Sequence, residues 1–161
     1  MTKVPIKYVP KGLSRRDKKK QKKMLKKSRK LYKKKKYFTR KKVKSFKSKV
    51  SPHIKKSLKI YKLKKFSVNQ ELAKKTGCSL TGLRKIVKKG QGAYYSSGSR
   101  PNQTGHSWGY ARMASAITGG KAAAVDYKIL EKHCRKNSKA LKLAKKAKKV
   151  SRRKIQKIKN I

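Results

Sequence analysis

The sequence predicts a mostly α protein: a small all-α core with an ordered glycine-rich loop, flanked by long basic arms that are partly helical or extended. Three observations predict it. Charge is segregated, because residues 91–134 carry five basic and two acidic side chains, while the rest of the chain carries a formal +47. Helix starts, stops and apolar spacings of three and four recur from residue 51 to 134. Six of the ten glycines fall between Gly92 and Gly120, beside the only tryptophan, Trp108. The implied division is a basic N-terminal arm (1–50), a helical core with its loop (51–134) and a basic amphipathic tail (135–161).

A chain of 161 residues with a net charge of +50 repels itself strongly when compact. An anionic partner is therefore expected. Nucleic acid ranks first, because releasing its condensed counterions drives binding. Anionic membrane surfaces and acidic protein faces follow. No apolar run approaches a membrane span, and the Lys-rich N-terminus lacks the apolar segment of a signal peptide.

Taken in order, Pro5, Pro10 and Gly12 mark an extended lead-in. Ser14-Arg15-Arg16-Asp17 has the form of a capping box with Asp17 in place of Glu, and a helix from about Arg15 to Lys35 follows. Its apolar stripe, Met24, Leu25, Leu31 and Tyr32, is narrow. Residues 36–50 read as an extended basic segment. Ser51-Pro52 opens a helix whose face is Ile54, Leu58 and Tyr61.

The sharpest local pattern is SVNQELAKKTGCSLTGLRKIVKKG, which reads as helix, tight turn, helix. Ser67 is the expected first cap, Gly77 the left-handed turn, Ser79 the second cap and Gly90 the stop. Ala73, Gly77, Leu83 and Ile86 resemble a helix-turn-helix, whose second helix would present Thr81, Arg84, Lys85, Lys88 and Lys89 to a major groove. A plain αα-hairpin fits the same residues, so both readings stand.

Gln91–Gly105 is expected as an ordered loop wedged by Tyr94 and Tyr95, with Arg100-Pro101-Asn102-Gln103 as a fork of donors. A helix over Trp108–Thr118, capped by Ser107 or Thr104, and another from about Lys121 to His133 follow. Beyond Arg135, Leu141, Ala144, Ala147, Val150, Ile155 and Ile158 give a basic amphipathic helix.

GQGAYYSSGS lacks the Lys-Ser/Thr ending of a Walker loop and no evident strand precedes it. Ser96, Ser97, His106 and Asp126 hold the parts of a nucleophilic site, but no spacing imposes its geometry. Four acids, Asp17, Glu71, Asp126 and Glu131, are too few for a two-metal nuclease unless several converge. No enzymatic activity, catalytic residue, cofactor or metal is expected. Cys78 and Cys134 lack zinc-ligand spacing, and two reduced thiols are the expected state, with one long-range disulfide as the alternative. Aromatics among lysines, as in LYKKKKYF, fit either base stacking or anchoring of the arm.

From GAYYSSGSRPNQTGHSWGYARMASAITGGKAAAVDYKILEKHC, with YVPKGLSRRDKKKQ, FKSKVSPHIKKSLK and KKTGCSLTGLRKIVKKG before it, the chain resembles a small family of basic proteins of large nucleocytoplasmic DNA viruses of algae and protists, and of some phages. The resemblance supplies no catalytic residues. It implies a structural protein of a virus particle, a minor capsid or internal virion component at the interior face of the capsid and, before packaging, at the host-cell assembly site. Its expected partners are capsid proteins, DNA and an anionic inner-membrane surface. The polyanion-binding side chains expected from the charge pattern are Arg15, Arg16, Lys33, Lys34, Lys35, Lys36, Arg84, Lys85, Lys88, Lys89, Arg100, Arg152, Arg153 and Lys154.

Overall fold

The computed structural model describes residues 4–159, and from residue 153 onward the backbone alone. The chain is mostly α-helical. Among the described residues there is no β-strand, only an isolated antiparallel bridge between Cys78 and Cys134. After a 3-10 turn at Ile6–Tyr8 the described residues form eight helices: α1 (Arg15–Lys33), α2 (Pro52–Ile60), α3 (Gln70–Thr76), α4 (Leu80–Ser96), α5 (Gly105–Ile117), α6 (Lys121–Val125), α7 (Tyr127–His133) and α8 (Lys139–Lys159). They divide into two compact units, and α4 and α5 each contribute to both.

The first unit joins the residues up to Lys49, expected as an arm, to Lys89–Gly109. Ser14 caps α1 by accepting from the Asp17 N–H at 3.2 Å, as the capping box predicts. The reciprocal half is different: Asp17 accepts from the Ser45 hydroxyl and N–H at 2.6 and 2.9 Å, and Ser45 Oγ accepts from the Ser14 N–H. Those bonds, with Lys20 and Arg16 nearby, hold the Asp17 carboxyl below its ordinary value. The buried face of α1 is Asp17, Gln21, Met24, Leu25 and Ser28, so three of its five positions are polar. Leu31 and Tyr32 of the expected stripe are less covered, Tyr32 being exposed. Gln21 donates to the Tyr8 carbonyl and Ser28 to that of Tyr95, satisfying backbone that has no helical partner. Residues 36–50 are non-helical, as expected. Val43 packs with Leu13 and Met24 beneath Phe38 and Phe46.

Gly90 does not stop α4. The helix runs on through Gly92 to Ser96, which shortens the expected loop to residues 97–104. Each helical glycine costs about 1 kcal/mol relative to alanine. Tyr94, wholly buried one turn later, outweighs that cost. The chain turns instead at Gly98, at φ 127°, where a Cβ would lie 2.8 Å from Leu25 and 3.0 Å from Tyr8. Thr104 and Ser107 cap α5 reciprocally, each hydroxyl accepting from the other's N–H, so α5 begins three residues before Trp108.

The second unit, Val50–Lys88 with the chain from Tyr110 onward, is built on a core of Leu72, Leu83, Ile86, Met113, Ile117, Leu130 and Leu141. Its elements differ from expectation in four places. Asn69, not Ser67, caps α3, accepting from the Leu72 N–H at 2.9 Å. The helix expected over Lys121–His133 is broken at Asp126, whose buried carboxylate takes both nitrogens of a fork from Arg112 at 2.7 and 2.8 Å. The tail is part of the core at its start, since Ala140, Leu141 and Ala144 of α8 are buried and α6 and α7 pack on that helix. Finally, Cys78 and Cys134 are not reduced thiols but a disulfide. The bridge that joins them brings the Ser79 N–H to the His133 carbonyl at 2.8 Å and the Arg135 N–H to that of Gly77 at 2.9 Å, which sets the two sulfurs side by side.

Candidate nucleic-acid interface

The turn between α3 and α4 forms as the sequence predicts. Gly77 is left-handed at φ 74°, and an added Cβ would lie 2.7 Å from that of Ser138. Ser79 caps α4 by accepting from the Gly82 N–H at 3.2 Å. Thr81, Arg84, Lys85, Lys88 and Lys89 all lie on the exposed face. The first turn of α4 also carries His133. A Cβ at Gly82 would sit 2.3 Å from His133 Cβ, so only glycine admits α7's last residue here. Lys85 Nζ donates to His133 Nε2 at 3.4 Å, which leaves the Nδ1–H to donate to Ser79 Oγ at 3.2 Å. Loss of hydration, then Lys85 and Lys132, push this imidazole's pKa down, keeping it neutral.

Beside the paired cysteines lies a basic groove that was not expected. The end of α3 and the segment between α7 and α8 meet across the Cys78–Cys134 bridge. They enclose a groove of about 410 Å³ whose cations are Lys74, Lys75, Arg135, Lys136 and Lys139. Lys75 is tied to Glu71 at 3.1 Å and to the Lys62 carbonyl at 2.8 Å. The signal in the sequence was the cations before Cys78 and after Cys134, readable as one site only if the two segments meet. A smaller hollow of about 220 Å³ lies along α8, between Tyr127 and Lys145, Lys148, Lys149 and Arg152. Lys148 Nζ sits 4.0 Å from the centre of the Tyr127 ring.

In the first unit, Arg15 and Arg16 are exposed at the start of α1 and Lys33, Lys34, Lys35 and Lys36 at its end. Arg100 is exposed in the loop after Gly98, but the rest of the expected fork of donors is structural. Asn102, left-handed at φ 61°, accepts from the Val43 N–H and donates to the carbonyls of Val43 and Phe46 at 3.1 and 2.8 Å. Gln103 accepts from Ser107 through its side chain and from Tyr94 through its carbonyl. Every described residue of the expected set is therefore exposed, while Arg153 and Lys154 lie outside the described side chains.

All four acids have internal partners: Asp17 with Ser45, Glu71 with Lys75, Asp126 with Arg112, and Glu131 with the Tyr127 hydroxyl. Asp126 is held by Arg112 through both carboxylate oxygens. Among the described residues no group of three His, Cys, Asp or Glu could hold a metal ion, and no helix is long and apolar enough to cross a membrane.

Fold and surface together define a small, mostly α-helical protein clad in lysine, with each of its four acids partnered within the chain. Residues 5–139 match a family of unknown function (DUF5824), and the chain belongs to that family. No curated protein and no solved structure matches it.

Proposed function

We propose that this is a non-enzymatic polyanion-binding protein whose principal partner is nucleic acid, DNA foremost. One observation carries the reading: against a net charge of +50 the chain has only four acids, each with a partner of its own, and all but a few of the described lysines and arginines are exposed. The exposed sets at Arg15–Arg16, Lys33–Lys36, Arg84–Lys89 and Arg100 belong to several elements, as suits contacts with phosphates rather than with one small ligand. The setting, a minor component inside a large DNA virus capsid with capsid proteins and an anionic inner membrane as neighbours, rests on the resemblance of Gly90–Cys134. A disulfide suits it too, because such bonds persist in particles outside the reducing cytosol.

A second reading, sequence-specific binding through α4, is favoured by the exposure of Thr81, Arg84, Lys85, Lys88 and Lys89 on one face. Binding of several unrelated DNA duplexes of equal length separates the two. Affinities within about threefold of one another support phosphate-driven binding. A strong preference for one duplex, abolished by Arg84→Ala, would replace it with the α4 reading, and no duplex binding at all would overturn both.

A further inference from the structure

We propose that Tyr37, supported by Tyr32 and Tyr95, is a stacking platform for the bases of single-stranded nucleic acid. The inference deepens the nucleic-acid reading and rests on it. Tyr37 is 70% exposed, so burial does not explain an aromatic ring at this place. It is nevertheless held. Its ring lies 6.1 Å from Tyr32 and 5.2 Å from Tyr95, edge to face in both cases, and Tyr95 meets Tyr94 at 4.9 Å. Tyr94 is wholly buried beneath the Arg40 guanidinium, 3.7 Å above its ring. An exposed ring is thus backed through a second to a fixed third, which keeps a face open where a lone tyrosine would lie down on the surface.

The cations beside it are placed by a strained turn. Helix α1 ends in a Schellman motif: the Lys36 N–H reaches the Leu31 carbonyl and the Lys35 N–H that of Tyr32, both at 2.9 Å. The left-handed position of such a turn is usually glycine, yet Lys35 occupies it at φ 57°. A side chain is kept there against backbone preference, in a run of four exposed lysines, Lys33–Lys36, leading directly to the platform. An aromatic face with cations along one side matches a single strand, whose bases are free to stack while its phosphates follow the lysines. In a duplex the base faces are occupied by their neighbours, so this site distinguishes the two forms.

The test uses the full-length, disulfide-bonded protein and three probes of equal charge: an oligothymidylate, a duplex, and an abasic oligomer. Tyr37→Ala should weaken oligothymidylate binding about tenfold, with Tyr37→Phe close to wild type. Duplex and abasic binding should be unchanged, as should the slope of affinity with salt. If Tyr37→Ala weakens all three probes alike, or none, the platform is overturned while the wider reading survives. If the wild-type protein binds none of them, the nucleic-acid reading itself falls.

Discussion

Arg40 shows how this chain uses a cation where it has no acid to offer. It is 6% exposed, yet its guanidinium meets only neutral oxygens: Ser28 Oγ and the Tyr94 carbonyl at 2.9 Å, and Ser99 Oγ at 2.8 Å. Its own N–H donates to the Tyr94 hydroxyl at 3.0 Å, and the Tyr94 ring faces the guanidinium plane. Burial lowers the Arg40 pKa from its ordinary value, but an arginine has ample margin to stay charged. Arg40→Ala should destabilise the protein by about 3 kcal/mol in urea unfolding, since it strips charge-assisted bonds and leaves a buried carbonyl without them. Arg40→Lys should not recover the loss, because a point-like ammonium cannot reach oxygens on three residues. A variant as stable as wild type would show that Arg40 is not the pin of the first unit. None of this was legible in the sequence, where Arg40 is one basic residue among many and two of its three acceptors, Tyr94 and Ser99, lie 54 and 59 positions away. The same holds for Gln21 and Ser28, polar residues on a buried helical face that an apolar-stripe argument passes over.

Helices are where sequence reasoning went furthest, since their signals are local. Ser14, Pro52, Gly77 and Ser79 act at or near the ends expected of them. The misses came where tertiary contacts overrode local preference: Tyr94's burial carries α4 through two glycines, and the Arg112–Asp126 pair breaks the helix after Val125. The disulfide is the largest such miss, because cysteines 56 positions apart carry no spacing signal. It links the turn before α4 to the end of α7, beside the groove of Lys74, Arg135, Lys136 and Lys139. Cross-linking a loop of that length restrains the unfolded chain by about 4 kcal/mol in the chain-entropy account. Reduction, or Cys78→Ser with Cys134→Ser, should therefore lower the unfolding free energy by about that amount in chemical denaturation. Unfolding curves unchanged by reductant would mean the bond contributes nothing to the second unit.

At the scale of the whole molecule the governing fact is charge. Its magnitude, and its concentration outside residues 91–134, could be read from composition alone. Composition could not show that residues 4–49 pack in the first unit with most of their cations exposed and Arg40 buried, or that each acid would find a partner within the chain. The structure thus joins folded helices to a surface that remains unneutralised, and the proposed polyanion completes it. The most direct test is the affinity of the full chain for duplex DNA across a range of salt concentration. The account predicts that log K falls linearly with log salt, with a slope of about −5 or steeper, corresponding to six or more phosphates neutralised at about −0.9 each. An affinity indifferent to salt, or no measurable binding at low ionic strength, would contradict it.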